Sequence, residues 1–167
     1  ANVGYACFTD PELFEGASLY YMQPRENDPS DYVAIRLNNG ESVTITNTCA
    51  ANVLGILAEG DYACGNEDSA RMAIKLLADE VGMSVQDTAR TILQKSTDKI
   101  KPVIEDLISK YKIERDQIVL VGAGGGAGTL LTFTANDMGF KYQIPENAEV
   151  ISSIGVALAM VREMVER

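Results

Sequence analysis

The chain has no histidine and no tryptophan in its 167 residues. Without imidazole there can be no Ser–His–Asp triad, no HExxH metal site and no His proton shuttle. Catalysis by this chain would fall to carboxylates, lysines, tyrosines, hydroxyls or a bound metal. Basic charge is also scarce: 14 Lys and Arg face 24 Asp and Glu, a net charge of −10. Such a chain repels phosphate backbones and anionic lipid heads, so neither nucleic acid nor a membrane surface is expected as a partner. A single nucleotide stays open, because backbone N–H groups and a helix N-terminus hold phosphate without Lys or Arg. No apolar run reaches the roughly 18 residues that span a bilayer, and no basic stretch followed by an apolar one marks a signal peptide. A cytoplasmic location is expected. The three cysteines, Cys7, Cys49 and Cys64, form no CxxC pair, which excludes a zinc ribbon or thioredoxin-type site and points to reduced thiols. With no histidine to activate it, a nucleophilic cysteine has little support.

What is present is a core-forming composition, 46% hydrophobic, enough for one domain or two tightly joined subdomains. The chain begins with Ala1 rather than Met, as expected of a piece of a longer protein. Residues 1–31 read as irregular, with Asp10-Pro11 and Asp28-Pro29 as turn starters. Strands are predicted at Tyr32–Leu37 and Ser42–Thr46, joined by Asn38-Asn39-Gly40, a hairpin signal. A helix over 48–58 follows, with Asn47 as its N-cap and Gly60-Asp61 beyond its end.

Two helices stand out by periodicity. Ala70, Ala73, Ile74, Leu77 and Val81 form one stripe of a helix over 67–81, which Gly82 ends. Ser84 and Asp87 open the next in capping-box fashion, and its stripe runs through Ile92, Leu93, Ile100, Ile104 and Tyr111. At 1.5 Å per residue a helix over 85–111 is about 40 Å long, with Pro102 expected to kink or divide it.

The last third changes character. A short apolar strand at 117–122 precedes Gly122-Ala123-Gly124-Gly125-Gly126-Ala127-Gly128. A helix over 129–137, a strand over 140–144 and a last helix over 148–166 follow. The order strand, glycine loop, helix, strand, helix predicts parallel strands joined by a crossover helix. Glycines at this density let a ligand approach the backbone, and the following helix offers free N–H groups and a positive dipole end. Gly122, Gly124, Gly125, Gly126 and Gly128 are therefore candidate nucleotide-binding residues, against the alternative of a tight turn chosen for packing. Walker A is excluded, since no lysine follows Gly128. The dinucleotide pattern G-x-G-x-x-A fits Gly122, Gly124 and Ala127 with Glu146 downstream, but too little chain follows Glu146 to complete a doubly wound sheet. On the last helix, Ala148, Ser152, Gly155 and Ala159 share one small-residue face.

Several stretches, in order, resemble a known family. Ala50-Ala51-Asn52-Val53-Leu54-Gly55, Gly82-Met83-Ser84-Val85, Val119–Gly128, Met138-Gly139-Phe140, Ile144-Pro145 and Ile151-Ser152-Ser153-Ile154-Gly155 are similar to the carboxyl part of hydantoinase/oxoprolinase (hydantoinase A-like) proteins. That family belongs to the actin, Hsp70 and sugar-kinase ATPase superfamily. The resemblance runs from about Asn47 onward; residues 1–46 match poorly, apart from a similar turn at Asp10–Gly16.

The fold class it implies is α/β: a partial ribonuclease-H-like, actin/Hsp70-type ATPase lobe with parallel strands, a glycine-rich βα loop and a helical subdomain. The expected organisation is an irregular segment and hairpin over 1–46, a helical subdomain over 47–116 and an adenosine-side subdomain over 117–167. Gly124, Gly125 and Gly126 would line the adenosine side of a cleft for ATP with Mg²⁺ in the intact protein. Ser152 and Gly155 would lie at an interlobe hinge. The partner would be the remainder of the parent protein or another subunit, and a homo-oligomer is possible. ATP would there activate a cyclic amide carbonyl for ring opening. The superfamily's two Asp-x-Gly-Gly-Thr phosphate motifs are absent, and the family's Gly-Pro-Leu-His after the loop is Gly128-Thr129-Leu130-Leu131 here. The chain is thus expected to be incomplete and inactive alone. The alternatives are the lobe of an ATP-driven reactivase or chaperone, and a non-catalytic interaction domain.

Overall fold

A computed structural model describes residues 3–159. Its elements in chain order are β1 (Gly4–Tyr5), β2 (Ser18–Met22), β3 (Tyr32–Arg36), β4 (Ser42–Thr44), α1 (Asn47–Leu54), α2 (Glu67–Val81), α3 (Val85–Tyr111), β5 (Val119–Val121), α4 (Ala127–Met138), β6 (Lys141–Gln143) and α5 (Ile151–Leu158), with short 3₁₀ turns between some of them.

The hairpin forms as the Asn-Gly turn predicts: β3 and β4 pair antiparallel, with Ile35 opposite Val43. Of the stretch expected to be irregular, the described residues up to Met22 are largely ordered into β1, two 3₁₀ turns and β2. Leu19 and Tyr21 of β2 pair with Ile35 and Val33 of β3, and β1 pairs parallel with β4, giving a four-stranded sheet in the order β1-β4-β3-β2. The loop 23–31 that joins β2 to β3 is too long to carry a tight-turn signal, so nothing local announces the pairing.

The helix after the hairpin is capped by Thr46 rather than Asn47, with Thr46 Oγ1 accepting from the Cys49 N–H at 3.4 Å. It stops at Gly55, whose φ of +61° is the left-handed conformation that ends a helix. The expected stretch of 48–58 was therefore too long at its end. Asn47 instead accepts a hydrogen bond from Ser96 on α3 (2.9 Å).

Helix α2 matches its predicted bounds, with Asn66 as cap and Gly82 at φ +68°. Helix α3 is also as predicted, capped by Ser84 accepting from the Asp87 N–H. Pro102 does not divide it. The residue is exposed, so the carbonyl that loses its donor one turn earlier can turn to water. The principal core lies where the sheet meets α1, α2 and α3 and includes Cys7, Ile35, Val43, Cys49, Ile74 and Leu93.

The C-terminal strands are parallel, Leu120 opposite Tyr142, with α4 crossing between them. The protein is thus a mixed α/β fold with parallel sheet elements. Helix α4 joins the rest through α3: Thr97 and Thr134, both buried, share a hydrogen bond of 3.0 Å, and Lys101 pairs with Asp137. Helix α4 begins at Ala127, two residues before the predicted start. The last predicted helix divides into a 3₁₀ turn, Ala148–Val150, and α5, which ends at Leu158; the part of that prediction beyond 159 lies outside the described residues.

Candidate functional site

The glycine loop connects β5 to α4. Its backbone is partly committed to the fold: the Gly122 N–H donates to Gln143 of β6 (3.0 Å), that of Gly124 to Ala148 (2.7 Å), and that of Ala127 back to Gly124 (3.0 Å). Gly124 takes φ +94°, a conformation other residues rarely adopt. The N–H groups of Gly125 and Gly126 have no hydrogen-bond partner among the described residues. Gly126, at the N-terminal end of α4, carries no side-chain cap, so this end keeps both open donors and its share of the helix dipole.

The five candidate glycines do not share one environment. Gly122 is buried, and a Cβ there would stand 2.7 Å from the Leu131 side chain and 3.0 Å from that of Ala127; it lets α4 fold back onto β5. Gly128 is buried too, and a Cβ would collide with the Asp61 carboxylate. Gly125 lies against the Tyr62 ring, whose atoms are 3.0 and 3.1 Å from where a Cβ would stand. Gly126 has open space around it. Both neighbours, Asp61 and Tyr62, come from the segment between α1 and α2. Asn52 of α1 holds that segment, donating to the Ala63 carbonyl (3.0 Å) and accepting from the Gly65 N–H (2.8 Å). Asp61 in turn accepts from the Ala63 N–H (2.8 Å).

A cleft of about 400 Å³ lies between this segment, the glycine loop and the stretch after β6. Four carboxylates, Glu59, Asp61, Glu146 and Glu149, line it, and no Lys or Arg does. Tyr62, 72% exposed, offers a flat ring at its edge. A second cavity, about 470 Å³, is bounded by apolar side chains of α3, β5 and α4, among them Ile104, Leu120 and Leu130.

A protein-family model described as hydantoinase/oxoprolinase matches residues 22–165. The chain belongs to the hydantoinase/oxoprolinase family. The match reaches back through β3 and β4 to residue 22, further than the motifs from Asn47 onward indicate. Three chains among the solved structures also match. One is acetone carboxylase in a nucleotide-free structure, from a description of the mechanism of ATP-dependent acetone carboxylation. It is 19% identical with a TM-score of 0.53, and the match covers 85% of this chain and 22% of that one. The likeness is one of fold, and this family member spans about a fifth of that neighbour's length. The curated proteins contain no match.

Sequence reasoning singled out the glycines but missed Asp61, Tyr62 and the acidic lining. Gly60-Asp61 reads as the end of a helix, and nothing local ties it to a loop more than sixty positions later. The small face of the last helix is split: Ala148 is buried, whereas Ser152 and Gly155 are exposed, with nothing within 4 Å of a Cβ at Gly155. Ile154, Val156 and Leu158 of α5 are exposed as well. Among the described residues there is no group of three or more His, Cys, Asp or Glu side chains placed to hold a metal ion, and no helix long and apolar enough to cross a membrane.

Proposed function

We propose that this chain supplies the adenosine side of an ATP-dependent enzyme that acts on cyclic amides. In this reading it forms part of a ribonuclease-H-like, actin/Hsp70-type lobe that is inactive alone. The observation that carries the reading is the open N–H group of Gly125, which lines the cleft, next to the open N–H of Gly126 at the uncapped end of α4, which lines the neighbouring apolar cavity. The matched family and its ATP-dependent neighbour support it. The residues present fit the nucleoside better than the phosphates. Ribose hydroxyls and an exocyclic amine can donate to Glu59, Glu146 or Glu149, and the Tyr62 ring offers a stacking face. Four carboxylates repel a triphosphate, so the phosphate chain and its Mg²⁺ would be held by groups outside this chain. Gly124, Gly125 and Gly126 would meet the ligand, while Gly122 and Gly128 would shape the loop. The exposed α5, with Ser152 and Gly155 as the pivot, would contact the remainder of the parent protein or a partner subunit.

Titration of the chain with adenosine and with ATP, followed by amide NMR, tests this. Both should bind weakly, with Kd of about 1 mM or above, roughly 4 kcal/mol or less. Shifts should centre on residues 124–126, with no ATP hydrolysis. Gly125→Val should remove those shifts while the fold survives, because the Tyr62 ring it displaces is exposed. Micromolar ATP affinity, turnover by the chain alone, or the absence of shifts in the loop would each overturn the reading. One observation favours a non-catalytic interaction domain: the contacts with Asp61 and Tyr62 already account for glycine at 128 and 125. An unchanged loop under saturating adenosine would decide for it.

A further inference from the structure

The turn between β3 and β4 carries chemistry that the nucleotide reading does not use. Of the chain's asparagines only Asn39 is followed by glycine. It sits at the tip of the hairpin, where Asn38, Asn39, Gly40 and Glu41 are all exposed. Gly40 takes φ +84°, and nothing lies within 4 Å of where its Cβ would stand. With no side chain on Gly40, the peptide nitrogen after Asn39 is open to approach. The Asn39 carboxamide is already folded back over that peptide. Its Oδ1 accepts from the Glu41 N–H (2.9 Å), and its Nδ2 donates to the Glu41 carboxylate (3.0 Å). The first bond draws electron density away from the carboxamide carbon, and the second holds the nitrogen that would leave. The other asparagines lack this combination. Asn47, Asn52 and Asn136 lie in helices and Asn66 caps α2. Asn38 is followed by Asn39, and its side chain is engaged with the Glu12 carbonyl (3.0 Å). Asn27 is exposed in the loop 23–31 but is followed by Asp28.

We propose that Asn39 is a self-modifying site, where the carboxamide closes on the Gly40 nitrogen and water converts the product to aspartate or isoaspartate. The Gly40 N–H donates to the Leu37 carbonyl (3.0 Å), so the step waits on local opening of the turn. Hydroxide then takes the Gly40 amide proton, and the nitrogen attacks Asn39 Cγ. An N–C bond forms, the bond from Cγ to the amide nitrogen breaks, and ammonia leaves with the proton that Gly40 gave up. The product is a succinimide ring. Water adds to one of its two carbonyl carbons and the C–N bond there breaks. Opening at Cγ restores the main chain as aspartate; opening at the main-chain carbonyl carbon routes the chain through Cγ as isoaspartate. One carboxamide and one water become one carboxylate and one ammonium ion, and nothing is oxidised. Isoaspartate adds a methylene to the backbone of the turn and sets a second carboxylate beside Glu41. The turn is also an anchor. The Asn38 N–H donates to the Leu13 carbonyl (3.1 Å), its side chain to that of Glu12, and the Arg36 guanidinium to that of Gly40 (3.0 Å). Lengthening it therefore loosens the hold of the hairpin on the 3₁₀ turn Pro11–Phe14, whose Phe14 belongs to the core.

The test is to incubate the folded chain at pH 8 and 37 °C, withdraw samples over days and map the peptides by mass spectrometry, with fragmentation that distinguishes isoaspartate from aspartate. Residue 39 should pass from amide to acid about tenfold faster than Asn27 or any other asparagine. Both acid products should appear, and the rate should rise with pH. Gly40→Asn keeps a residue that tolerates positive φ but places a Cβ beside the attacking nitrogen, so conversion at residue 39 should slow by about tenfold. An Asn39 that remains an amide, another asparagine that converts first, or a Gly40→Asn chain that converts residue 39 as fast as the native one would overturn the proposal. The first two outcomes are read on the native sequence, so the test holds even where Gly40→Asn does not fold.

Discussion

Gly65→Ala isolates one contact on which the join between the N-terminal turn and α2 depends. A Cβ at Gly65 would collide with the Cys7 carbonyl oxygen and stand 3.1 Å from both the carbonyl carbon and the Cys7 Cβ. The obstacle is backbone in the core, which cannot swing aside as an exposed side chain can. Overpacking of this kind costs about 1–3 kcal/mol. Relief requires the segment to withdraw, which lengthens the Asn66 N–H to Cys7 bond (2.7 Å) and the Gly65 N–H to Asn52 bond (2.8 Å); each is worth about 1 kcal/mol. The loss of glycine's freedom in the unfolded chain returns about 0.4–1 kcal/mol. The net expectation is a destabilisation of about 3 kcal/mol, or a fall in Tm of about 10 °C for a chain of this length. Urea unfolding and calorimetry, with Gly126→Ala as control, measure it. Gly126 has open space around it and no positive φ, so its alanine variant should stay within about 0.5 kcal/mol of the wild type. A Gly65→Ala protein as stable as the control would refute the packing argument.

The Thr97–Thr134 hydrogen bond is buried at both ends, so Thr134→Val should cost about 1–3 kcal/mol by stranding the Thr97 hydroxyl, and the double variant Thr97→Val/Thr134→Val should recover most of that loss; a cycle of urea midpoints checks the sign of the coupling. Arg115 bonds Glu105 through both terminal nitrogens (2.7 and 2.9 Å), and this lowers the Glu105 pKa. A carboxylate with a depressed folded pKa contributes stability that is present above its unfolded pKa and lost as pH falls through the folded one. Glu105→Gln should therefore narrow the difference in Tm between pH 7 and pH 3, by a small amount because the pair is exposed and screened; an unchanged difference would sink the assignment.

The sequence by itself determined the elements whose signals are local. Helices α2 and α3 carry apolar stripes at helical spacing, and Asn66, Ser84 and Gly82 mark ends that need only neighbouring atoms to form. The Asn39-Gly40 turn names its own hairpin, and β5–α4–β6 follows from a glycine loop between short apolar runs. Family membership was legible for the same reason, since its motifs are short and ordered. Tertiary structure decided what rests on contacts between distant segments. Strand β2 has no turn to announce it and exists because β3 offers an unpaired edge. Thr46 rather than Asn47 caps α1, because Asn47 is drawn to Ser96 across the core. The glycines were visible as a motif, but which of them face a cleft and which face Leu131, Asp61 or Tyr62 depends on where the segment between α1 and α2 comes to rest. The carboxylates around that cleft have the same origin: side chains far apart in the chain become neighbours only when the core closes, and no periodicity or spacing records that distance in advance.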